Sequence, residues 1–572
     1  MSKLINDPAF NGKFPAKSYA EWQDLAGDVA THTSPLALAD GFSRLPLYHQ
    51  SPQTRAPLRQ SGAWAIAQRI TPHKRGTSNK TILSDVEGGA NILLLDFSAG
   101  DCPTTASLQK QLQGVMLDVA PLSLVPAQHG LAAVQAVLGL DVPATISLYL
   151  NYDPLGAHIL YGTDISTNFS DDFSPLKEAE ERPATYLLTA SGAAYYAAGA
   201  NAIQELGWAC ATLVTYLRHY EASPQDLFPR LTMTLAADVD FFASLAKVRA
   251  ARILLATLAD ALGVDKTSLP PIHGETSLRS FSNADPWVNI LRATIAGMGA
   301  AIGGVDALTI MPCSAASASD NNLTRRLARN TQLILQEESH LSHVIDAAGG
   351  SHYVETLTKD MAEAAWQVFQ DIEAQGGMVK SIEAGHIHTA LEQQKAAQAT
   401  PIDKRQWALV GVSEFPNLEE APLENDPTNP THRVAAPFEA LRYAAQQTKP
   451  QVFLACLGAQ ADFAARANFA SNVYAAAGIG TIQGEGGTDC AEITAQFTAS
   501  GAKIAIICGT DDAYGDYGAV VAAALRQAGA LHLALAGKFD MAGVDDKIFM
   551  GAAILPFLAK IHHHLGLSEG AK

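Results

Sequence analysis

The chain has 572 residues, of which 48 % are hydrophobic, and a formal net charge of −18 at pH 7. A single core stops growing at roughly 250–300 residues, so we expect two or more domains. The negative charge argues against a nucleic-acid partner, which would require a basic surface. No apolar run approaches the about 18 residues of a membrane span and no signal peptide is evident, so we expect a cytoplasmic protein with no membrane partner.

The six cysteines are widely scattered and form no CxxC pair. This pattern is typical of reduced core cysteines in a large intracellular chain, and it favours neither a disulfide framework nor a zinc site.

Residues 1–60 contain several prolines and only short amphipathic pieces, such as residues 20–25. An arm that cannot bury its own apolar residues usually wraps another body. We therefore predict an N-terminal arm that lies on its own barrel or on a partner chain.

Residues 61–400 alternate short apolar runs with helical patterns. The predicted strands are Ile92–Leu95, Val115–Leu117, Ile146–Leu150, Tyr186–Thr189, Leu231–Leu235 and Ala307–Ile310. Two long helices are predicted at about 238–262 and 357–375. This alternation favours an α/β fold of the TIM-type (β/α)8 barrel class.

Residues 401–448 are rich in proline, asparagine and charge, which predicts a linker over a surface. From 449 to 572 the α/β pattern restarts. Its predicted strands are Val452–Leu457, Thr481–Ile482, Ile504–Cys508, Leu531–Leu535 and Lys547–Met550. Its predicted helices are 461–476, 488–500, 516–528 and 552–563. This pattern favours a compact, doubly wound flavodoxin-like (Rossmann-like) domain.

The last domain opens with a strand, a tight loop and a helix. Gly458 interrupts the apolar run, Asp462 is the candidate N-cap, and Gly478 is placed to end the helix. In such domains ligands bind beyond the carboxyl ends of the strands, on loops of this kind.

Two loops of this domain have alternative interpretations. Gly484–Gly487 is a possible phosphate cradle, but it lacks the full Gly-x-Gly-x-x-Gly spacing, so a plain loop is favoured about fourfold. Gly509–Asp512 lines a pocket or caps a helix, with equal weight on each.

Several histidines suggest a metal site without completing one. His386 with His388, the run His562–His564, and the pair His340 and His343 lack matching ligands at metal-binding spacing. We therefore expect no metal site. His273 and Glu275, at the expected end of a barrel strand, are either acid–base residues or a hydrogen-bonded pair without a catalytic role.

Two segments resemble the methylmalonyl-CoA mutase family. One begins Arg-Leu-Ala-Arg-Asn-Thr-Gln at Arg326 and continues to Glu355, with Asp-Ala-Ala-Gly-Gly-Ser-His-Tyr-Val-Glu at its end. The other is Leu-Ala-Lys-Val-Arg-Ala-Ala-Arg at Leu245–Arg252. The resemblance covers the barrel and, more weakly, the C-terminal domain. It implies a barrel that holds an acyl-CoA and a last domain of the cobalamin-binding type.

The last domain departs from the motif that the resemblance implies. Cobalamin-binding members carry Asp-x-His-x-x-Gly, in which the His binds cobalt, the Asp orients it and the Gly admits the cofactor tail. Aligned on Gly458, this chain has Gln460, Asp462 and Ala465 at those positions. A carboxylate is a poor substitute for an imidazole on cobalt.

The barrel departs from the family as well. Ser191-Gly192 is followed by Ala193-Ala194 where the family has its catalytic Tyr-His pair. In a segment expected just before the first barrel strand, Ala67 and Arg69 stand where the family has Arg and Tyr. The family's His-x-Gln-Thr-Ser-Gly is only partly kept in His273–Leu278, and an arginine-bearing segment is missing before residue 184.

The resemblance therefore implies the small, non-catalytic subunit of a heterodimeric methylmalonyl-CoA mutase, with adenosylcobalamin on the catalytic large subunit. No catalytic, cofactor-binding or metal-binding residue is expected on this chain. Two alternatives are an active acyl-CoA mutase of altered substrate range that uses His273 and Glu275, and an acyl-CoA-binding regulatory module.

Overall fold

The computed structural model describes residues 17–28, 44–49, 59, 62–71, 78–165, 173–317, 321–423 and 429–567. Eight parallel strands close into a barrel in chain order, because the first strand pairs with both the second and the eighth. The predicted TIM-type (β/α)8 barrel is thereby confirmed. The strands are β1 Ala65–Ile70, β2 Ile92–Asp96, β3 Leu122–Val125, β4 Leu148–Tyr152, β5 Thr185–Ser191, β6 Leu231–Ala237, β7 Ile272–Thr276 and β8 Ala307–Thr309.

Helices surround the barrel and extend beyond it. They are α1 Tyr19–Ala26, α2 Asn79–Glu87, α3 Thr105–Gln111, α4 Gly130–Leu138, α5 Pro154–Tyr161, α6 Ser174–Glu180, α7 Gly192–Ala197, α8 Ala202–His219, α9 Pro224–Leu227, α10 Phe241–Leu262, α11 Val288–Gly303, α12 Asn322–Leu333, α13 His352–Ala374, α14 Met378–Glu383 and α15 His386–Asp403. The core of this unit lies between the strands and the helix layer, because the outward side chains of buried strands face the helices.

Three sequence-based strand assignments were wrong. Residues 115–117 form no strand, and the third strand is Leu122–Val125, four residues set between two prolines. Residues 65–70, expected ahead of the first strand, are β1 itself. His273 and Glu275 lie within β7, not after it, because inward-facing polar residues interrupt the apolar pattern of a barrel strand.

The second unit contains a five-stranded parallel sheet in the spatial order β10-β9-β11-β12-β13. Its strands are β9 Gln451–Cys456, β10 Gly480–Gln483, β11 Ile504–Cys508, β12 His532–Ala536 and β13 Asp546–Ile548. The helices here are α16 Ala436–Ala445, α17 Gln460–Ala475, α18 Cys490–Ser500, α19 Asp511–Ala513, α20 Ala519–Gln527 and α21 Ile554–His564.

Helix α17 begins at Gln460, so the predicted N-cap at Asp462 was wrong. Asp462 lies in the first turn, where its Oδ2 accepts a hydrogen bond of 2.8 Å from the backbone N–H of Ala459. A carboxylate at the third helical position can satisfy an unpaired N–H just as an N-cap side chain does. The sequence pattern therefore located the helix but placed its N-cap three residues too late, at Asp462 instead of Ala459.

The segment predicted to be a linker contributes to a core. Ile402, Val412, Val434 and Phe438 are buried in the same apolar cluster as β9 and α17. The proline-rich composition of this segment had suggested a surface path, but its few large apolar residues are those that pack inward. Among the described residues, no helix is long and apolar enough to cross a membrane.

Part of the predicted arm contacts this chain's own barrel, while the rest lies outside the described residues. Arg44 pairs with Asp240 at 2.8 Å, and the ring of Tyr48 lies 5.3 Å from that of Tyr353. Helix α1 confirms the amphipathic piece at residues 20–25, but none of its residues is buried.

Candidate functional site

A cavity of about 240 Å³ opens at the carboxyl end of the barrel strands. Arg69 of β1 occupies its centre, between Asp96 at the end of β2 and Glu275 of β7. Its Nε lies 2.9 Å from Asp96 Oδ2, and its Nη1 donates to Glu275 Oε1. One guanidinium is thus shared by two carboxylates, at the end of the barrel where TIM-barrel enzymes place their chemistry.

Each of the three charged side chains shifts the pKa of the others. Burial by itself would lower the pKa of Arg69, but the carboxylates of Asp96 and Glu275 outweigh it and raise that pKa. Burial opposes the charge of Asp96 too, yet Arg69 and the Ser98 N–H hold its pKa below the usual value. For Glu275 burial wins over Arg69, and its pKa is raised. The cluster is an internal ion pair with one surplus carboxylate.

His273 and Glu275 both line this cavity, but they are not joined as an acid–base pair. His273 Nε2 is 2.8 Å from Thr309 Oγ1 on the neighbouring strand β8. Burial lowers the pKa of His273 to about 4, and the Arg69 cation adds to the shift. The imidazole is therefore neutral at pH 7 and is hydrogen-bonded to the barrel wall.

Asp153 is a cavity residue that the sequence interpretation missed. It caps α5, and its carboxylate accepts hydrogen bonds from Gly156 N–H at 2.9 Å, Ser191 N–H at 3.1 Å and the Tyr216 hydroxyl. Burial raises the pKa of Asp153 to about 6, although these three donors oppose the shift. The Asp-Pro pair at residues 153–154, a common helix start, was the available signal.

Ala193 and Ala194, in the first turn of α7, border the same cavity with methyl groups. The next two residues are tyrosines that hydrogen-bond to the protein: Tyr195 with Thr212 at 2.7 Å and Tyr196 with Asp238 at 2.8 Å. Neither of these hydroxyls lines the cavity.

The mouth of the cavity is bordered by Asn429, Pro430 and Thr431, from the segment between the two units. The following residues fix this segment to the barrel. The His432 N–H donates to Ala197 O at 2.8 Å, and the Val434 N–H donates to Arg279 O at 2.9 Å. Residues 429–431 of the predicted linker therefore form part of the cavity wall.

In the second unit, Arg466 of α17 spans the carboxyl ends of the strands. Its Nη1 donates to Gly509 O, just after β11, at 2.6 Å, and its Nη2 pairs with Asp511 at 2.6 Å. The guanidinium lies 4.9 Å from the Tyr514 ring. A Cβ on Gly537, just after β12, would come within 3.3 Å of it. This crevice, where the strand order reverses between β9 and β11, is the usual ligand position in such sheets.

The glycine-rich loop of the second unit uses most of its backbone donors internally. Gly484 N–H donates to Leu454 O, Glu485 N–H to Gln496 Oε1 and Gly487 N–H to Gly458 O, all within 3.0 Å. A phosphate cradle requires such groups to be free. The interpretation as a plain loop is the better supported one.

The loop after β11 caps a helix. Thr510 Oγ1 accepts a hydrogen bond of 3.2 Å from the Ala513 N–H.

No group of three or more histidine, cysteine, aspartate or glutamate side chains that could hold a metal occurs among the described residues. His340 and His343 stack on each other, with ring centres 4.6 Å apart.

Comparison with known proteins identifies the family. The methylmalonyl-CoA mutase family model matches residues 177–490, more than half of the chain. The methylmalonyl-CoA mutase small subunit of Streptomyces virginiae is 33 % identical over 97 % of this chain and 98 % of its own length. That of Propionibacterium freudenreichii subsp. shermanii is 32 % identical, covering 98 % and 96 % of the two chains. A probable small subunit from Mycobacterium bovis is 36 % identical over 88 % and 85 %.

This chain belongs to the methylmalonyl-CoA mutase family. The predicted recognition is thereby confirmed, and the family is one of adenosylcobalamin-dependent isomerases. At the position expected for the cobalt-binding histidine, this mutase homologue has the capping carboxylate of Asp462, which lies over Gly458. Gln460 and Ala465, at the other two motif positions, are exposed on the same helix.

Proposed function

We propose that this chain is the small, non-catalytic subunit of a cytoplasmic, heterodimeric methylmalonyl-CoA mutase, whose large subunit binds adenosylcobalamin and carries out the isomerisation. Relatives named as small subunits align over nearly the whole chain, which supports the assignment. We assign residues 61–400 to the acyl-CoA mutase barrel and 449–572 to a degenerate cobalamin-binding-type domain. The sheet order of the latter, β10-β9-β11-β12-β13, supports its assignment to a flavodoxin-like fold.

The arrangement of Asp462 and Arg466 carries the proposal. The family resemblance implies a histidine nitrogen as the cobalt ligand at the loop after β9, whereas the side chain there is a carboxylate that accepts a hydrogen bond from the Ala459 N–H. Arg466 lies across the crevice beyond it and donates a hydrogen bond to Gly509 O. The residues present do not fit adenosylcobalamin.

The barrel supports the same conclusion. Ala193 and Ala194 offer no hydrogen-bond donor or proton to a bound acyl group. Arg69, the one guanidinium among the cavity-lining residues, is already shared by two carboxylates and so is poorly placed to bind the carboxylate of methylmalonyl-CoA. The surplus negative charge would also repel that substrate. His273 and Glu275 do not contact each other as a general acid–base pair, because His273 is hydrogen-bonded to Thr309 and Glu275 to Arg69. This weighs against an active mutase of altered substrate range.

The purified chain tests this proposal directly. Titrated with adenosylcobalamin, it is expected to give no saturable absorbance change, and with methylmalonyl-CoA it is expected to show no turnover. A catalytic subunit added at equal concentration should form a one-to-one complex with it and gain activity or stability. Stoichiometric cobalamin binding by this chain alone would contradict the proposal. Binding of acyl-CoA without turnover would favour a regulatory module instead.

A further inference from the structure

Helix α11, on the outside of the barrel, presents an apolar face to solvent. Trp287, just before its first residue, is 57 % exposed, Leu291 is 70 % exposed and Ile295 is 36 % exposed. These residues are spaced four apart, so they form one stripe along the helix. We call this stripe the α11 face.

The face contains no charged group. Between residues 286 and 303 the only charged residue is Arg292, which is buried and turned inward. Its guanidinium donates to Ser282 Oγ, Asn289 Oδ1 and Val410 O at 2.7–2.8 Å. By contrast, the barrel helix α13 presents charged side chains to solvent, including those of Lys359 and Glu363. A helix that is apolar on its outer side as well as its inner side is normally covered by protein.

A further exposed apolar side chain lies close to the helix. Val410, whose carbonyl accepts the Arg292 hydrogen bond, is 48 % exposed. Together with the α11 face it exposes an apolar area on the order of 400 Å², comparable to the largest patch of a typical monomer, which is often functional. A tryptophan at one end of such a patch is the kind of residue that dominates binding energy at interfaces.

We propose that the α11 face is the docking surface for the catalytic mutase subunit, an inference that rests on the function proposed above. The family relatives that span this chain are named small subunits, a name that implies a larger companion chain. A second copy of this chain is a poorer occupant, because each copy carries a net charge of −18 and the two would repel each other. The expected counterpart is an apolar helix of the partner packed 8–10 Å from α11.

The test compares two charge insertions in the full-length chain. Leu291→Glu places a carboxylate in the α11 face, and Met550→Glu places one at an equally exposed apolar residue of the second unit, 80 % exposed. Each variant is titrated against a tagged catalytic mutase subunit from the same cell by biolayer interferometry. Leu291→Glu is expected to weaken binding at least 100-fold and Trp287→Ala about 30-fold, while Met550→Glu changes it less than threefold.

Unchanged melting temperatures of the isolated variants would show that the fold is intact. If wild type binds the catalytic subunit and Leu291→Glu binds equally well, the docking surface is wrong and the proposed function stands. If the wild-type chain does not bind the catalytic subunit at all, both the proposed function and the proposed docking partner are wrong. If size-exclusion chromatography instead shows a homodimer that Leu291→Glu dissociates, the occupant is a second copy and the proposal is overturned.

Discussion

Replacing Arg69 by methionine would remove the only cation of the cavity cluster and keep most of the side-chain volume. Asp96 and Glu275 would then be left without a counterion in a site where none of the three side chains is more than one-fifth exposed. Removing one partner of a buried ion pair costs about 3–5 kcal/mol. For a barrel of this size we expect the melting temperature at pH 7.5 to fall by about 4–7 °C.

The loss should depend on pH with a definite sign. Without Arg69, nothing opposes burial at Glu275, whose pKa rises further above its unfolded value, while at Asp96 the Ser98 N–H alone still opposes burial and the lowering of its pKa is lost or reduced. The folded variant then binds protons more tightly than the unfolded chain, so its stability increases as the pH falls. In the wild type, the lowered pKa of Asp96 stabilises the fold at neutral pH, and this contribution is lost only below about pH 4. The deficit of the variant should therefore shrink between pH 7.5 and pH 5.

Thermal unfolding followed by circular dichroism at a series of pH values measures both effects. Arg69→Met combined with Glu275→Gln should recover part of the loss, because the surplus charge is removed. The matched control is Arg218→Met, which breaks a pair with Glu373 whose arginine side chain is 54 % exposed and should change stability by less than about 1 kcal/mol. If Arg69→Met behaves like this control, or if its deficit is the same at every pH, then the ion cluster does not stabilise the barrel.

Three further predictions concern other parts of the chain. Asp462→His supplies a nitrogen donor but leaves Arg466 across the crevice, so an absorbance titration with hydroxocobalamin should show no spectrum of histidine-bound cobalamin. A histidine-bound spectrum would contradict the proposal that Arg466 excludes the cofactor. Lys247→Met leaves the fully buried carboxylate of Glu205 without its counterion, so the free energy of unfolding measured by chemical denaturation should fall by about 3–5 kcal/mol. Lys359→Met, which removes one partner of an exposed ion pair, should lower it by less than about 1 kcal/mol. The His273 ring should stay neutral down to about pH 4 in an NMR titration. Because its pKa is lower in the folded state, the stability it contributes should fall as the pH drops from about 6.5 to 4, whereas a midpoint near 6.5 would refute its burial.

Local sequence signals found the elements that satisfy a simple pattern. Strands β2 and β11 were located because a strand buried on both faces is a short apolar run between turns. Helices α10 and α13 were located because their apolar residues repeat at helical spacing. Strand β7 was expected to end near His273 but runs to Thr276, since its inward residues His273 and Glu275 are polar.

The residues of the candidate site also fall into those that local sequence signals revealed and those that they did not. The substitutions at Asp462, Ala193 and Ala194 were visible because each lies in a short motif whose order along the chain is fixed. The role of Asp153 was not visible, because its three hydrogen-bond donors come from separate parts of the chain. The helix start at Gln460 was misplaced because a carboxylate suits both the N-cap position and the third helical position, where Asp462 accepts from the Ala459 N–H.

By itself, the sequence determined the alternation of strands and helices, the resemblance to the mutase family and the absence of its key side chains from their motifs. These are properties of neighbouring residues, since periodicity and short motifs act over a few turns of chain. Only the tertiary structure brought Arg69 against Glu275, 206 residues away, and laid Arg466 across the loop after β11. Closure of the barrel and the order of the second sheet set those contacts, and nothing local to either partner encodes the distance between them.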